Sequence, residues 1–150
     1  MILMKELIQK LRGATGAGIM DAKKALEDVG GDYDKAFDLI RERGLVKAEK
    51  KAERRATAGL LESYVHNGRV GVLLEINCET DFVASTKEFR ELAHELAMQI
   101  AAMDPADVDE LPVQQYIKDP SIAVGDIIKQ AIAKLGENIK VGRFVRYEIN

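Results

Sequence analysis

The stretch Val70-Gly71-Val72-Leu73-Leu74-Glu75-Ile76-Asn77-Cys78-Glu79-Thr80-Asp81-Phe82-Val83-Ala84-Ser85-Thr86-Lys87-Glu88-Phe89 changes its period partway along. Val70, Val72, Leu74, Ile76 and Cys78 fall at every second position, the spacing of one strand face. From Phe89 onward, Leu92, Ala93, Leu96, Ala97, Ile100 and Ala101 recur at helical spacing and make one apolar stripe. Glu79 to Ala84 is therefore a strand-to-helix corner. Ser85 with Glu88 has the capping-box pattern, so the helix is expected to start after Ser85, which leaves Phe82 in the connection. Phe82 then has two readings: a staple packed on the first helical turn, or an exposed anchor for a partner's pocket.

Upstream of this stretch, Gly59 to Val65 reads as a strand and His66-Asn67-Gly68-Arg69 as an Asn-Gly hairpin turn. Downstream, Met103 to Asp119 carries Pro105, Pro112 and several acids, with Pro112 to Ile117 open to a strand or a loop reading. Ile127, Ile128, Ala131, Ile132 and Leu135 predict a helix from about Val124 that ends at Gly136. Ile139 to Ile149 reads as a last strand, and Arg143 and Arg146 suit a partly exposed or edge location. Residues 57–150 thus predict an α+β core, an antiparallel or mixed sheet with helices on one side.

Residues 1–45 predict a small three-helix unit. Leu3, Met4, Leu7, Ile8 and Leu11 line one face of a first helix, and Gly13, Gly16 and Gly18 end it. Ile19, Ala22, Leu26 and Val29 mark a second, stopped by Gly30-Gly31. Asp32 is the expected N-cap of a third, with Tyr33, Ala36, Phe37 and Ile40 buried and Gly44 just past its end. Residues 46–56, rich in Lys, Glu, Arg and Ala, read as a helical connector.

The composition, 47% hydrophobic and 31% charged over 150 residues, is that of a folded globular chain. Residues 1–56 carry a net +3 and residues 57–150 a net −6, which fits two units with different surfaces. Cys78 is the lone cysteine, so no internal disulfide can form. The opening Met1-Ile2-Leu3-Met4-Lys5-Glu6 acquires charge at once and has no signal-peptide core, and no stretch is apolar enough to cross a membrane. A cytoplasmic setting is expected.

The sequence offers few residues placed for chemistry. His66 and His94 have no ligand partner at metal spacing, and Ser63 and Ser85 lie in no nucleophile elbow. Cys78 falls on the apolar strand face, and Glu75 and Glu79 fall on the outer face with no acid/base pocket. The loop Arg12-Gly13-Ala14-Thr15-Gly16-Ala17-Gly18 follows a helix and lacks a Gly-Lys-Ser/Thr ending, so a tight helix-helix turn fits it better than a phosphate cradle. Lys47, Lys50, Lys51, Arg54 and Arg55 alternate with Glu49 and Glu53, as on a solvated helix face, and the rival reading is contact with RNA phosphates. With no catalytic residue, metal or cofactor expected, the working part of the chain should be a surface.

Leu11-Arg12, Thr15-Gly16-Ala17-Gly18-Ile19-Met20-Asp21-Ala22-Lys23-Lys24-Ala25-Leu26, Gly31-Asp32, Asn77-Cys78-Glu79-Thr80-Asp81-Phe82-Val83-Ala84 and Gly136-Glu137-Asn138-Ile139, in this order, resemble bacterial translation elongation factor Ts. The resemblance spans nearly the whole chain. It implies a ubiquitin-associated-like domain at 1–45, a connector at 46–56 and an α+β, dimerisation-type core at 57–150. It also implies guanine nucleotide exchange on elongation factor Tu, with no covalent chemistry and no direct nucleic acid contact. In such a factor Thr80, Asp81, Phe82 and Val83 enter the partner's GTPase domain and dislodge its Mg²⁺, while Leu11, Ile19 and Met20 make a second contact. Ile19-Met20-Asp21-Ala22 departs from the family's usual Met-Met-Asp-Cys. The core resembles the short form of the family, with an abbreviated Met103 to Asp119 region, and a homodimer is expected to replace the missing half. The competing expectations are an RNA- or ribosome-binding accessory protein using the basic connector, and an adaptor using the three-helix unit alone.

Overall fold

Asn67 (φ 52°) and Gly68 (φ 67°) both take left-handed backbone conformations, as a two-residue type I′ turn requires. They join β1 (Ala58–His66) to β2 (Val70–Cys78), with Leu60 opposite Ile76 and Tyr64 opposite Val72. The computed structural model describes residues 3–150. Met1 and Ile2, part of the N-terminal stretch read for a signal peptide, lie outside the described residues. Strand β5 (Lys140–Glu148) pairs antiparallel on the other side of β2, so the three-stranded sheet has the order β1-β2-β5 and β5 is an edge, as expected.

The alternation in β2 sends Val72, Leu74, Ile76 and Cys78 into the core. There they meet α5 (Lys87–Met103), which buries Phe89, Leu92, Leu96 and Ile100, and α6 (Val124–Leu135), which buries Val124, Ile128 and Ile132. Gly136, at φ 78°, closes α6 through its N–H to the Ile132 carbonyl, the C-terminal glycine cap foreseen from sequence. The α+β architecture with helices on one side of an antiparallel sheet is realised. The opposite face of the sheet, carrying Leu61, Val65, Leu73, Val145 and Tyr147, is left open.

Between α5 and α6 the chain forms a 3-10 turn at Leu111–Val113 and a small hairpin of β3 (Gln115–Tyr116) and β4 (Asp119–Ala123). Gln99, fully buried in α5, holds this hairpin: its amide nitrogen donates to the Gln115 carbonyl at 2.9 Å and its oxygen accepts from the Ile117 N–H at 2.9 Å. A buried amide satisfied on both sides costs little.

The N-terminal unit consists of α1 (Met4–Thr15), α2 (Ile19–Asp28) and the first half of α3 (Tyr33–Lys51). Leu11, Ala22, Ala25, Leu26 and Ala36 form its own core. Asp32 caps α3 by accepting from the Lys35 N–H at 3.1 Å. One expectation is overturned here. Gly44 does not end α3, which continues unbroken to Lys51 and absorbs the first part of the segment read as a connector. The reason is tertiary: a Cβ on Gly44 would stand 3.2 Å from the Ala133 Cβ of α6. The missing side chain lets the two helices close, which outweighs a helix-propensity cost of about 1 kcal/mol. Ala48 then enters the main core, and the Gln130 amide of α6 donates to the Arg41 carbonyl at 3.1 Å.

Candidate functional site

The corner after β2 is a single helical turn, α4 (Asp81–Ala84), and its sequence splits cleanly by direction. Val83 and Ala84 face inward, 5% and 9% exposed, and anchor the turn to the core. Asp81 faces solvent, and Phe82 is 82% exposed, the highest value for a large apolar side chain among the described residues. That exposure excludes the first of the two readings of Phe82. The ring is not a staple on α5.

The caps differ from the expected ones. Thr80 starts α4, its hydroxyl oxygen accepting from the Val83 N–H at 3.3 Å. Thr86, not Ser85, caps α5, accepting from the Phe89 N–H at 3.2 Å and donating to the Val83 carbonyl at 2.7 Å. Ser85 (φ −88°, ψ −7°) is already helical and closes α4, whereas Thr86 (φ −72°, ψ 151°) has the extended backbone of an N-cap.

Behind the turn lies a bracing network that the sequence did not announce. The Glu137 carboxylate accepts from the Glu79 N–H at 3.1 Å and the Thr80 N–H at 3.0 Å through Oε1, and from the Thr80 hydroxyl at 2.7 Å through Oε2. Glu79, expected on the outer strand face, instead accepts from the Asn138 N–H at 2.7 Å. The Asn138 side chain is buried and donates to the Arg54 carbonyl at 2.7 Å. The only sequence sign of this network was the Gly136 to Ile139 segment, noted as a resemblance without a role. Beneath it, the buried Cys78 thiol donates to the Thr80 carbonyl at 3.2 Å. Burial, with the Glu137 charge second, raises its pKa, so the thiol stays protonated at neutral pH.

On the N-terminal unit, Ile19 and Met20 open α2 with 54% and 72% exposure. Leu11 does not accompany them. It is fully buried among α1, α2 and α3, because it continues the inward stripe of Leu7 and Ile8. The structure thus separates one buried residue from two exposed ones in the set drawn from the resemblance.

Two amides of the glycine loop between α1 and α2 are bonded to the end of α1. Gly16, at φ 74°, donates to the Arg12 carbonyl at 2.7 Å, and the Ala17 N–H donates to the Thr15 hydroxyl at 3.2 Å. The loop borders a cleft of about 650 Å³ between α3 and α6. Two of the basic residues there are paired across α2 and α3, Lys47 with Asp21 at 3.0 Å and Arg43 with Asp28. Among the described residues no cluster of His, Cys, Asp or Glu could hold a metal ion, and no helix is long and apolar enough to cross a membrane.

A family model described as elongation factor TS matches residues 79–150, from the first residue of the corner to the end of the chain. Over 193 aligned positions the chain is 45% identical to elongation factor Ts of Thermotoga petrophila, covering 99% of this chain and 97% of the relative. It is 42% identical to elongation factor Ts of Fervidobacterium nodosum over 195 positions, covering 99% of each. Elongation factor Ts of Thermodesulfovibrio yellowstonii is 38% identical over 193 positions, covering 99% of this chain and 97% of the relative. The aligned spans exceed the 150 residues of this chain, so each relative carries residues with no counterpart here. With identity well above 30% along nearly the full length of both partners, the chain belongs to the elongation factor Ts family of translation elongation factors.

Proposed function

We propose that this chain is a guanine nucleotide exchange factor for elongation factor Tu, and that it drives GDP release with the Thr80 to Val83 corner. The observation that carries the reading is Phe82, 82% exposed on a turn whose next two residues are anchored in the core. An aromatic held out in this way can enter a partner's pocket at little conformational cost. In a GTPase, Mg²⁺ bridges the nucleotide phosphates to the protein. Phe82 would displace the groups around that ion while the neighbouring Asp81 perturbs its charge balance, and GDP would then be held less tightly. By linkage, GDP weakens binding of the factor by the same ratio, so a ternary complex can form and decay in both directions. Ile19 and Met20 supply a second apolar contact from α2. No covalent bond is made or broken.

The test is release of a fluorescent GDP from elongation factor Tu. The chain should accelerate release, and Phe82→Ala should remove most of the acceleration with the melting temperature unchanged. No acceleration by the unmutated chain would sink the reading, and full acceleration by Phe82→Ala would sink the role of the ring.

The open sheet face supports a homodimer as part of the same proposal. Leu73 and Val145 are paired neighbours on β2 and β5, and Val65 and Tyr147 extend the patch on the same side. A second copy covering it would form a two-fold interface of sheet on sheet. A monomeric mass by light scattering at working concentration would overturn this part.

A further inference from the structure

We infer that Glu137, on the loop between α6 and β5, is a positioning residue for Phe82: it acts on nucleotide exchange by holding Thr80 and without touching the partner. The inference rests on the exchange reading above and adds a residue to it. An isolated helical turn does not hold its own shape in water, and the Phe82 ring, being exposed, contributes no packing to α4. The shape of the corner must be set from behind. Val83 and Ala84 anchor its inner side, and Thr80 defines where the turn begins.

Glu137 takes two of the three polar groups of Thr80, and the third, the carbonyl, accepts from the Ala84 N–H at 3.2 Å and from the Cys78 thiol at 3.2 Å. The Thr80 N–H and hydroxyl hydrogen both go to the Glu137 carboxylate, and this leaves the hydroxyl oxygen free to accept from the Val83 N–H and cap the turn. The Glu79 N–H goes to the same carboxylate. Hydrogen bonds to an ionised acceptor are the stronger kind, and three on one carboxylate define a direction as well as a distance. In the other direction, Glu79 accepts from the Asn138 N–H, so the two segments clasp each other across about sixty residues of chain. Asn138 extends the clasp to the Arg54 carbonyl beyond α3. Among the described residues no Glu137 side-chain hydrogen bond goes to α6 or β5. All three go to the corner.

Removing the carboxylate leaves two N–H donors without their acceptor and lets the Thr80 hydroxyl rotate away from its capping geometry. Phe82 would still be exposed, but presented in many directions instead of one. Glu137→Ala should therefore lower the maximal rate of GDP release on the order of tenfold, with a smaller effect on the half-saturating concentration. Glu137→Gln keeps a carbonyl oxygen for the two N–H groups and should recover much of the rate.

Two measurements decide the matter. Hydrogen exchange should show the Glu79 and Thr80 amides losing protection in Glu137→Ala, with the amides of β2 and α5 unchanged. Retained protection at Glu79 and Thr80 would overturn the inference. In a double-mutant cycle, Glu137→Ala should slow release in the native background and have no further effect on a Phe82→Ala chain. An equal slowing in both backgrounds would show that Glu137 acts independently of the ring, and would also overturn it. If Glu137→Ala fails to fold, Glu137→Asp, whose shorter side chain draws the carboxylate back from both N–H groups, takes its place in both measurements, with the same signs. The amide measurement does not depend on GDP release, so the exchange reading and the role of Glu137 fail separately.

Discussion

Gly44 of α3 lies against Ala133 of α6 with so little room that a methyl group on it would come within 3.2 Å of the Ala133 Cβ and 3.2 Å of the Gln130 Oε1. This contact ties the N-terminal helices to the sheet domain through one continuous helix. Gly44→Ala gains about 1 kcal/mol of helix propensity and loses a similar amount to crowding, so its net effect should be small. Gly44→Val cannot be accommodated without moving α3 off α6. It should cost about 1–3 kcal/mol in urea unfolding and make the segment beyond Gly44 more susceptible to limited proteolysis. A Gly44→Val chain as stable as the native one would mean that the close crossing is not needed.

Leu11 and Met20 belong to the same sequence resemblance but sit in opposite environments, 0% and 72% exposed. Leu11→Ala should cost about 2–5 kcal/mol, the range for emptying a well-packed aliphatic site. Met20→Ala should change stability by less than about 0.5 kcal/mol. In GDP-release assays Met20→Ala should raise the half-saturating concentration of the factor. Calorimetry on the two variants separates them before any partner is added.

Tyr116 and Glu95 form a half-buried pair with an expected pH signature. Burial first, and the Glu95 carboxylate second, push the Tyr116 hydroxyl up to about 12 from its ordinary 10.0. The folded state therefore holds this proton more tightly than the unfolded chain does. The stabilisation is complete below about pH 10 and is lost as pH rises towards 12. Glu95 runs the other way: burial raises its pKa, but hydrogen bonds from Lys118 and Tyr116 outweigh it, and the net shift is downward. Its contribution is present above the ordinary carboxylate value and is lost as the solution is acidified through the lowered one. Tyr116→Phe should cost about 1–2 kcal/mol at neutral pH and flatten the alkaline limb of a stability-against-pH curve. An alkaline limb unchanged by Tyr116→Phe would remove this pair as its cause.

Cys78 should be chemically silent in the folded chain. Its thiol is buried, hydrogen-bonded to the Thr80 carbonyl, and raised in pKa by burial and by the nearby Glu137 charge. Thiolate is the reactive form. Labelling with a disulfide reagent at neutral pH should therefore be slow and should follow the unfolding curve as urea is added. Rapid labelling of the native protein would show that the corner opens far more readily than its hydrogen bonds imply.

Much of this protein was legible from sequence by itself. The change of period between Cys78 and Phe89, the Asn67-Gly68 turn, the Asp32 cap and the Gly136 stop each depend on chemistry within a turn or two of chain, and all appear in the structure. They were enough to determine an α+β core behind a three-helix unit, and the order of the motifs identified the family. Tertiary structure decided what local chemistry leaves ambiguous. A glycine after a helical run is either a stop or a gap for a neighbouring helix, and only the presence of Ala133 makes Gly44 the second. Ser85 is the better cap by local pattern, and the extra turn of α4 assigns that role to Thr86 instead. Leu11 is apolar wherever it points, and the packing of three helices turned it inward. Glu137 and Thr80 are 57 residues apart, and periodicity carries no information at that range. Their contact exists because α6 returns the chain to the start of β5, beside the corner where β2 ends.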